Sequence, residues 1–197
     1  SIKVEMAYAT ATQVKAYLGL TTSTDDTLIG TLLSAAQSMI ERATGRVFEA
    51  ETNTTRYFYL DDLDRYSGVL WFTGDLCTLT TVTNGDGASV TVSDVQTLPV
   101  NSTPWYGLRI NPSVGTFTSG PTTSERIAIT GKWAYSASAP ADIVQATIRM
   151  TAFLYRAREN GGDTDRTVFA GNATLSPQAL PADVQAVVRA YAMAVTS

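Results

Sequence analysis

The sequence predicts an α+β fold, in which a helical core carries an inserted antiparallel β-sheet or partial barrel. Segments toward both ends of the chain repeat apolar residues at steps of three and four, as one face of a helix does. Between them, short runs rich in Thr, Val and aromatic residues are separated by turn residues, as strands are. With 197 residues, the chain is long enough to bury a core of its own.

Two helices are predicted in the first quarter of the chain. The first begins after the N-cap residue Thr10 and ends before Gly19, a residue type that favours helix ends. The second is longer, with Ser23 or Thr24 as its expected cap, and ends before Gly45. Its two adjacent apolar stripes predict a central helix: Leu28, Leu32, Ala35, Met39 and Ala43, and beside them Ile29, Leu33, Ala36 and Ile40.

Short β-like runs follow the long helix. They cover 55–60, 68–73, 79–83, 89–93, 106–110 and 126–133. Asn84, Gly85, Asp86 and Gly87 separate two of these runs and favour a tight hairpin, because Asn and Gly accept positive φ. We therefore expect a small, mostly antiparallel sheet between the helices.

Two further helices are predicted, over 140–159 and from 181 to about 195, and each begins with Pro-Ala-Asp. Proline fixes φ near the helical value, and Asp142 or Asp183 then places negative charge beside the unsatisfied amides of the first turn. The segment between the helices, 160–180, has no apolar period and is predicted to be a loop. Structureless loops of about twenty residues are uncommon in compact domains and are usually functional or mobile.

The last predicted helix carries a regular apolar stripe. It comprises Val184, Val187, Val188, Tyr191 and Val195. An isolated helix of about fifteen residues is marginal in water, so this helix needs a surface on which to dock. Two surfaces are open at this point: its own domain, or a neighbouring protein to which the long loop carries the helix.

The composition excludes several classes of function. The net charge is −4, and the 14 Lys and Arg residues form no basic block, whereas stable DNA binding needs clustered positive charge. No apolar run approaches the roughly 20 residues that cross a bilayer, so we expect neither a membrane protein nor a secreted precursor. Cys77 is the only cysteine, which excludes an internal disulfide, and we predict that it is a small buried hydrophobic residue.

No catalytic apparatus is visible in the sequence. The chain contains no histidine, which removes histidine-based triads and histidine-ligated zinc sites. Asp61, Asp62 and Asp64 are predicted to lie in a solvated turn, because Leu63 and the lack of a suitably placed Gly and Glu spoil a calcium loop. We therefore expect no enzymatic activity, no metal and no cofactor.

Several short motifs follow one another in a set order along the chain. They are Thr44, Gly45 and Arg46, then Ile129, Thr130, Gly131 and Trp133, then Pro140, Ala141, Asp142, Tyr155 and Arg156, and last the segment from Leu180 to Val184. Their order and spacing, over roughly 6–60 and 125–190, resemble the head-tail connector, or adaptor, family of long-tailed double-stranded DNA bacteriophages. Ala134 stands where that family often has glycine, and the β insertion is larger than usual.

The resemblance implies a structural virion protein of the neck, made in the host cytoplasm, that is not an enzyme. Its subunits would form a ring, usually twelve-fold, below the portal protein, joining the capsid to a stopper or tail-completion protein. Genomic DNA would pass through without specific binding. The C-terminal helix would dock on the portal, which predicts these docking residues: Leu180, Val184, Val187, Val188, Tyr191 and Val195. Subunit-interface or loop contacts are predicted for Arg156, Arg158 and Phe169.

The same resemblance sets the expected domain organisation, which is one domain overall. The N-terminal helices of the core cover 1–54, and an inserted β-rich region covers 55–133. A core helix follows at 134–159, and a long loop with the C-terminal docking helix covers 160–197.

Two other functions stay open. A head-completion, stopper or tail-terminator subunit also forms a ring but engages a different neighbour. A β-rich carbohydrate-recognition domain would use aromatic side chains as a ligand platform. The candidates are Tyr57, Tyr59, Trp71, Trp105 and Tyr106, which we expect mostly in the core or in subunit contacts.

Overall fold

The fold is α+β, as the sequence predicts. The computed structural model describes residues 7–118, 126–159, 168–170, 173–175 and 180–193. Within these residues it has four α-helices and two four-stranded antiparallel sheets. The chain divides into two compact units: a β unit, Val47–Ala139, and a helical unit formed by Ala7–Arg46 and the segment from Pro140 onward. The organisation into the four parts given above stays a prediction.

The helical unit contains α1 (Ala11–Leu18), α2 (Asp26–Thr44), α3 (Ala141–Glu159) and α4 (Ala182–Tyr191). Helix α3 contacts the other three helices, and α2 also contacts α1 and α4. One core cluster of this unit joins residues of α1, α2 and α3 with Ala9, which precedes α1: Ala9, Val14, Ile29, Leu33, Ile148 and Tyr155. All four helices were predicted, although α4 ends earlier than expected and Val195 lies outside the described residues.

The ends of α1 follow the predicted local chemistry. The Thr10 hydroxyl accepts a hydrogen bond from the Gln13 amide at 3.2 Å, and the Gln13 side chain accepts one from the Thr10 amide at 2.8 Å. This reciprocal pair satisfies two of the free amides at the helix start. Gly19 ends the helix in the left-handed region with φ of 75°, which glycine adopts without steric cost.

The predicted cap of α2 at Ser23 or Thr24 is wrong. Asp25 occupies the N-cap position, and its side chain makes no cap hydrogen bond. Its carboxylate instead accepts a hydrogen bond from the Tyr155 hydroxyl of α3 at 2.8 Å. A tertiary contact therefore replaces the local cap, and only Gly45, left-handed with φ of 70°, ends the helix as expected.

Helix α2 is central in its unit, but the second apolar stripe forms the middle of its buried face. Ile29, Leu33, Ala36 and Ile40 are all buried. Residues of the first stripe flank them, and three of these are partly buried: Leu28, Leu32 and Met39. The wide apolar face is thus confirmed, with its centre rotated toward the second stripe.

Two antiparallel sheets form the β unit. The first has the order β1 (Thr54–Phe58), β8 (Ile127–Lys132), β4 (Thr78–Thr83) and β5 (Ser89–Val90). The second has the order β2 (Leu63–Asp64), β3 (Val69–Leu76), β7 (Trp105–Ile110) and β6 (Val95–Leu98). Strands β2 and β6 were not predicted, and the run 89–93 shortens to β5 because a 3₁₀ turn begins at Val92.

The core of the β unit draws residues from both sheets. Its buried members include Leu70, Phe72, Leu76, Val82, Leu108, Ile110, Ile127, Ile129 and Trp133. Gly131 lies where β8 and β4 approach closely, since a Cβ atom there would lie 2.0 Å from the Thr78 carbonyl oxygen. The glycine of the Ile-Thr-Gly motif is therefore required by packing.

The predicted hairpin joins β4 to β5, but its chemistry differs from the prediction. Of its four residues, only Gly87 has a positive φ, of 83°. The buried Asn84 side chain instead donates to the Thr116 carbonyl at 3.1 Å and accepts from the Thr118 amide at 2.8 Å. Asn84 therefore fixes a neighbouring loop rather than supplying a left-handed backbone.

The segment 160–180 is not wholly a loop, so that prediction is wrong in part. Strands β9 (Val168–Ala170) and β10 (Ala173–Leu175) pair as an antiparallel hairpin, with Phe169 opposite Thr174. Three-residue strands are too short to show an apolar period, which explains why the sequence pattern missed them. Most of the remaining segment lies outside the described residues. No helix in the described part of the chain is long and apolar enough to span a bilayer.

Candidate docking site on the C-terminal helix

Helix α4, the predicted docking element, packs on α2 and α3 of its own unit. Val184 and Val188 are 0% and 7% exposed, whereas Leu180, Val187 and Tyr191 are partly buried. Of the two surfaces left open by the sequence, the helix therefore occupies its own domain in this chain. Docking of the stripe on a portal stays a prediction.

Both Pro-Ala-Asp motifs open helices, with the proline one residue earlier than predicted. Pro140 and Pro181 directly precede the first helical residues. Their carbonyl oxygens accept the first helical hydrogen bonds, from Val144 and Gln185, each at 2.9 Å. Each proline thus occupies the N-cap position rather than the first turn, and the following aspartates lie in the first turn as expected.

The two aspartates of these motifs also link α3 to α4. The Asp142 carboxylate accepts hydrogen bonds from the Tyr191 hydroxyl at 2.9 and 3.0 Å. The Asp183 carboxylate lies 2.7 Å from a guanidinium nitrogen of Arg149. Because each aspartate opens its own helix and its partner lies farther along the other, the two helices run antiparallel. The two copies of the motif therefore link α3 and α4 at two positions along the helices. The sequence did not predict these links between helices.

The Thr-Gly-Arg turn after α2 also holds the C-terminal end of α4. Arg46 Nε donates to the Tyr191 carbonyl at 2.7 Å, and the Met193 amide donates to the Thr44 carbonyl at 3.0 Å. A cation beside the last carbonyls of a helix also favours the helix dipole. These bonds, between residues about 145 positions apart in the chain, give the motif a tertiary role that its local pattern cannot reveal.

The outward side of α4 carries small residues and one cation. Ala182, Ala186, Ala190 and Arg189 are exposed. This face is therefore free of large apolar side chains, in contrast to the face that holds Val184 and Val188.

The other predicted contact residues lie apart from the α4 stripe in sequence, and only one has a described side chain. Arg156 is exposed, and its guanidinium lies 6.0 Å from the ring centre of Tyr17 on α1. The side chains of Arg158 and Phe169 lie outside the described residues. All three subunit contacts stay predictions.

Several aromatic residues of the β unit are exposed, so a place in the core is wrong for them and subunit contacts stay a prediction. Tyr57, Tyr59 and Trp71 are 55%, 52% and 48% exposed, so they are not core residues. Trp105 and Tyr106 are partly buried. Arg126 lies over the tyrosines, with its guanidinium carbon 4.8 Å from the Tyr57 ring centre and 5.9 Å from that of Tyr59. Edge-strand packing was not visible in the sequence, which shows only the alternation of residue types.

The ionisable groups singled out in the sequence lie in structural settings. Cys77 is partly buried, and burial raises the pKa of its thiol, which lowers its reactivity. Asp61 and Asp62 are exposed in a 3₁₀ turn, as predicted, whereas Asp64 is exposed at the end of β2, where hydrogen bonds from Ser67 and Tyr66 lower its pKa. In the described part of the chain, no group of three or more Cys, Asp or Glu side chains is arranged to hold a metal.

No protein-family model matches the chain, and no curated protein sequence matches it either. Its fold is similar to chains in two solved structures of gene transfer agent (GTA) particles. One is the neck of an empty GTA particle, computed with C6 symmetry: 17% identity, TM-score 0.58, covering 93% of this chain and 88% of that chain. The other is the neck of a native GTA particle, computed with C12 symmetry: 18% identity, TM-score 0.53, covering 93% of this chain and 87% of that one. The likeness shows that the fold extends over nearly the whole length of both chains.

Proposed function

We propose that this chain is a structural protein of the neck of a phage-like particle, where it forms a ring that joins the portal to the tail. The observation that carries the proposal is the fold shared with two neck chains over 93% of its length. The order of its motifs, which resembles that of head-tail connectors, supports the same assignment. On this proposal the chain acts by assembly and has no catalytic role.

The ring proposal implies a channel for genomic DNA. The chain has 14 basic and 18 acidic residues, so its net charge opposes tight binding of DNA phosphates. Retention of DNA needs clustered Lys and Arg to displace counterions from the phosphates. The sequence has no such cluster, so DNA would pass without being held. The protein would reside in the particle neck and, during assembly, in the host cytoplasm.

We further propose that α4 docks on the portal through its apolar stripe after leaving its own unit. Val184 and Val188 are buried there, so they reach a partner only when α4 separates from α2 and α3. Two buried valines, three hydrogen-bonded contacts and one exposed ion pair hold the helix, which together amount to about 5–12 kcal/mol. New portal contacts would have to offset this cost.

Binding to an assembled portal ring tests the proposal. Light scattering after size exclusion would compare the full chain, a chain truncated after Glu159, and the V187D variant, which places charge on the stripe. The matched control is T80D, on an exposed site of β4. We expect the full chain and T80D to join the portal, and the other two to bind at least about tenfold more weakly.

The remaining outcomes separate the alternatives. If all four forms bind the portal equally, the anchor is not α4. If no form binds the portal but the full chain binds a tail-completion protein, the chain is a stopper or terminator instead. If it binds neither, the neck assignment fails.

A further inference from the structure

An exposed cluster of one cation and two aromatic rings lies at the β1 edge of the first sheet. Arg126 is exposed, and its guanidinium lies over the half-exposed rings of Tyr57 and Tyr59. It makes no hydrogen bond or ion pair within the described part of the chain. A guanidinium held against aromatic rings keeps its N–H groups oriented for a carboxylate. The cluster therefore fits an anionic partner group.

The opposite edge of the same sheet carries an exposed carboxylate. Asp86 lies in the turn between β4 and β5, and β5 is the other edge among the described strands. One carboxylate oxygen accepts the Ala88 amide at 2.9 Å, which orients the side chain while leaving it exposed. The turn itself is held by the buried Asn84. One sheet thus has a cationic edge and an anionic edge.

The strand register places the two charged groups at the same end of the sheet. Tyr57 pairs with Ala128, Ala128 with Thr83, and Thr83 with Ser89, so these residues form one row across four strands. Arg126 directly precedes β8, and Asp86 follows the end of the antiparallel β4, so both lie beyond the same end of this row. Three strand spacings, about 14 Å, separate the two edges. A second copy placed beside the first, across the strand direction, brings its Asp86 opposite Arg126.

We propose that the β1 edge of one copy docks against the β5 edge of the next, with Asp86 bound by Arg126 between Tyr57 and Tyr59. The occupant of this surface is therefore a second copy of this chain. A contact between two different surfaces repeats from copy to copy and closes into a ring when the rotation allows. The inference rests on the proposed ring, and it also explains why Tyr57 and Tyr59 are exposed in one copy.

A charge exchange tests this interface. The variants are R126E, D86R and the double variant R126E/D86R, and R65E is the matched control because Arg65 is exposed on a turn of the other sheet. Native mass spectrometry and light scattering would measure ring formation against protein concentration, with and without the portal. Circular dichroism would show that each variant is folded. We expect each single variant to raise the concentration needed for assembly by about tenfold or more, and the double variant to restore it.

Each contrary outcome has a distinct meaning. If R126E assembles like the wild type, or if the folded double variant stays as impaired as the single ones, the Arg126–Asp86 interface is refuted while the neck function stands. If R65E is impaired as much as R126E, the effect is one of net charge and the interface is again refuted. If the wild type forms no ring even on the portal, the proposed function fails and the interface with it.

Discussion

Replacing Arg46 by methionine should loosen α4 while leaving the helix sequence intact. Arg46 lies just after α2, and its Nε donates to the Tyr191 carbonyl at 2.7 Å. A hydrogen bond from a charged donor contributes about 1.5–3 kcal/mol, and the partial exposure of Arg46 favours the lower part of that range, about 1.5–2 kcal/mol. Methionine keeps much of the apolar stem but removes the donor. The local opening of α4 should therefore become about 10- to 30-fold more frequent.

Hydrogen exchange of the α4 amides measures this opening directly, because exchange reports the free energy of local unfolding. We expect the protection of 182–191 to fall by about 10- to 30-fold in R46M, with little change in the β unit. The control is R42M, since Arg42 is exposed on α2 and takes part in none of the α4 contacts described above. Unchanged protection in R46M would refute the view that the Thr-Gly-Arg turn holds α4.

The same variant tests whether docking requires release. If α4 must leave its unit to reach the portal, a weaker hold lowers the cost of docking, and R46M should bind the portal up to about 10- to 30-fold more tightly despite its lower stability. Titration calorimetry against the portal ring would measure whether the less stable variant binds more tightly than the wild type. Weaker binding by R46M, together with faster exchange, would mean that α4 binds in its present position, and the release proposal would be wrong.

Further predictions concern the packing and the exposed surface. G131A should destabilise the chain by about 3 kcal/mol or more, because its Cβ would lie 2.0 Å from a backbone oxygen. G30A has open space on α2 and should stabilise the chain by about 0.5–1 kcal/mol. Urea unfolding measures the free energy of unfolding of both variants. N84A should cost about 1–3 kcal/mol by the same assay, because the buried Asn84 side chain no longer bonds the Thr116 carbonyl and the Thr118 amide. Because burial raises the pKa of Cys77, its alkylation should need a higher pH than that of a free thiol, and a rate equal to the free thiol at pH 8 would contradict this. A glycan array should give no signal, since Tyr57 and Tyr59 are proposed for a protein contact; a signal lost in Y57A would instead favour carbohydrate recognition.

The elements that the sequence predicted are those whose cause is local. Thr10 and Gly19 delimit α1 through backbone preferences of single residues, and the structure places both as expected. The cap of α2 was predicted at the wrong residue, and the Asp25 carboxylate at the actual N-cap position bonds the Tyr155 hydroxyl, 130 positions away, rather than the helix start. A local stretch of sequence contains only one of these two residues, so it cannot predict the contact between them.

The docking site was predicted in a similarly partial way. The apolar period correctly indicated a helix with a face to bury, because periodicity reports burial. It does not report which surface buries the face, and Val184 and Val188 proved to face their own unit. For the same reason the sequence left Tyr57 open between the core and a subunit contact, since residue type alone does not distinguish a core strand from an edge.

The means by which α4 is held suit an element that leaves its unit. Its two links to α3, Asp142 with Tyr191 and Asp183 with Arg149, are both solvent-exposed and contribute at most about 1 kcal/mol each. Its buried apolar part consists of two valines, whereas α2 buries larger aliphatic side chains along several turns. Local opening is drawn from the elements with the fewest buried apolar contacts. The helix proposed to reach the portal is therefore held by less buried apolar surface than α2 is, and its release also has to break the Arg46–Tyr191 hydrogen bond.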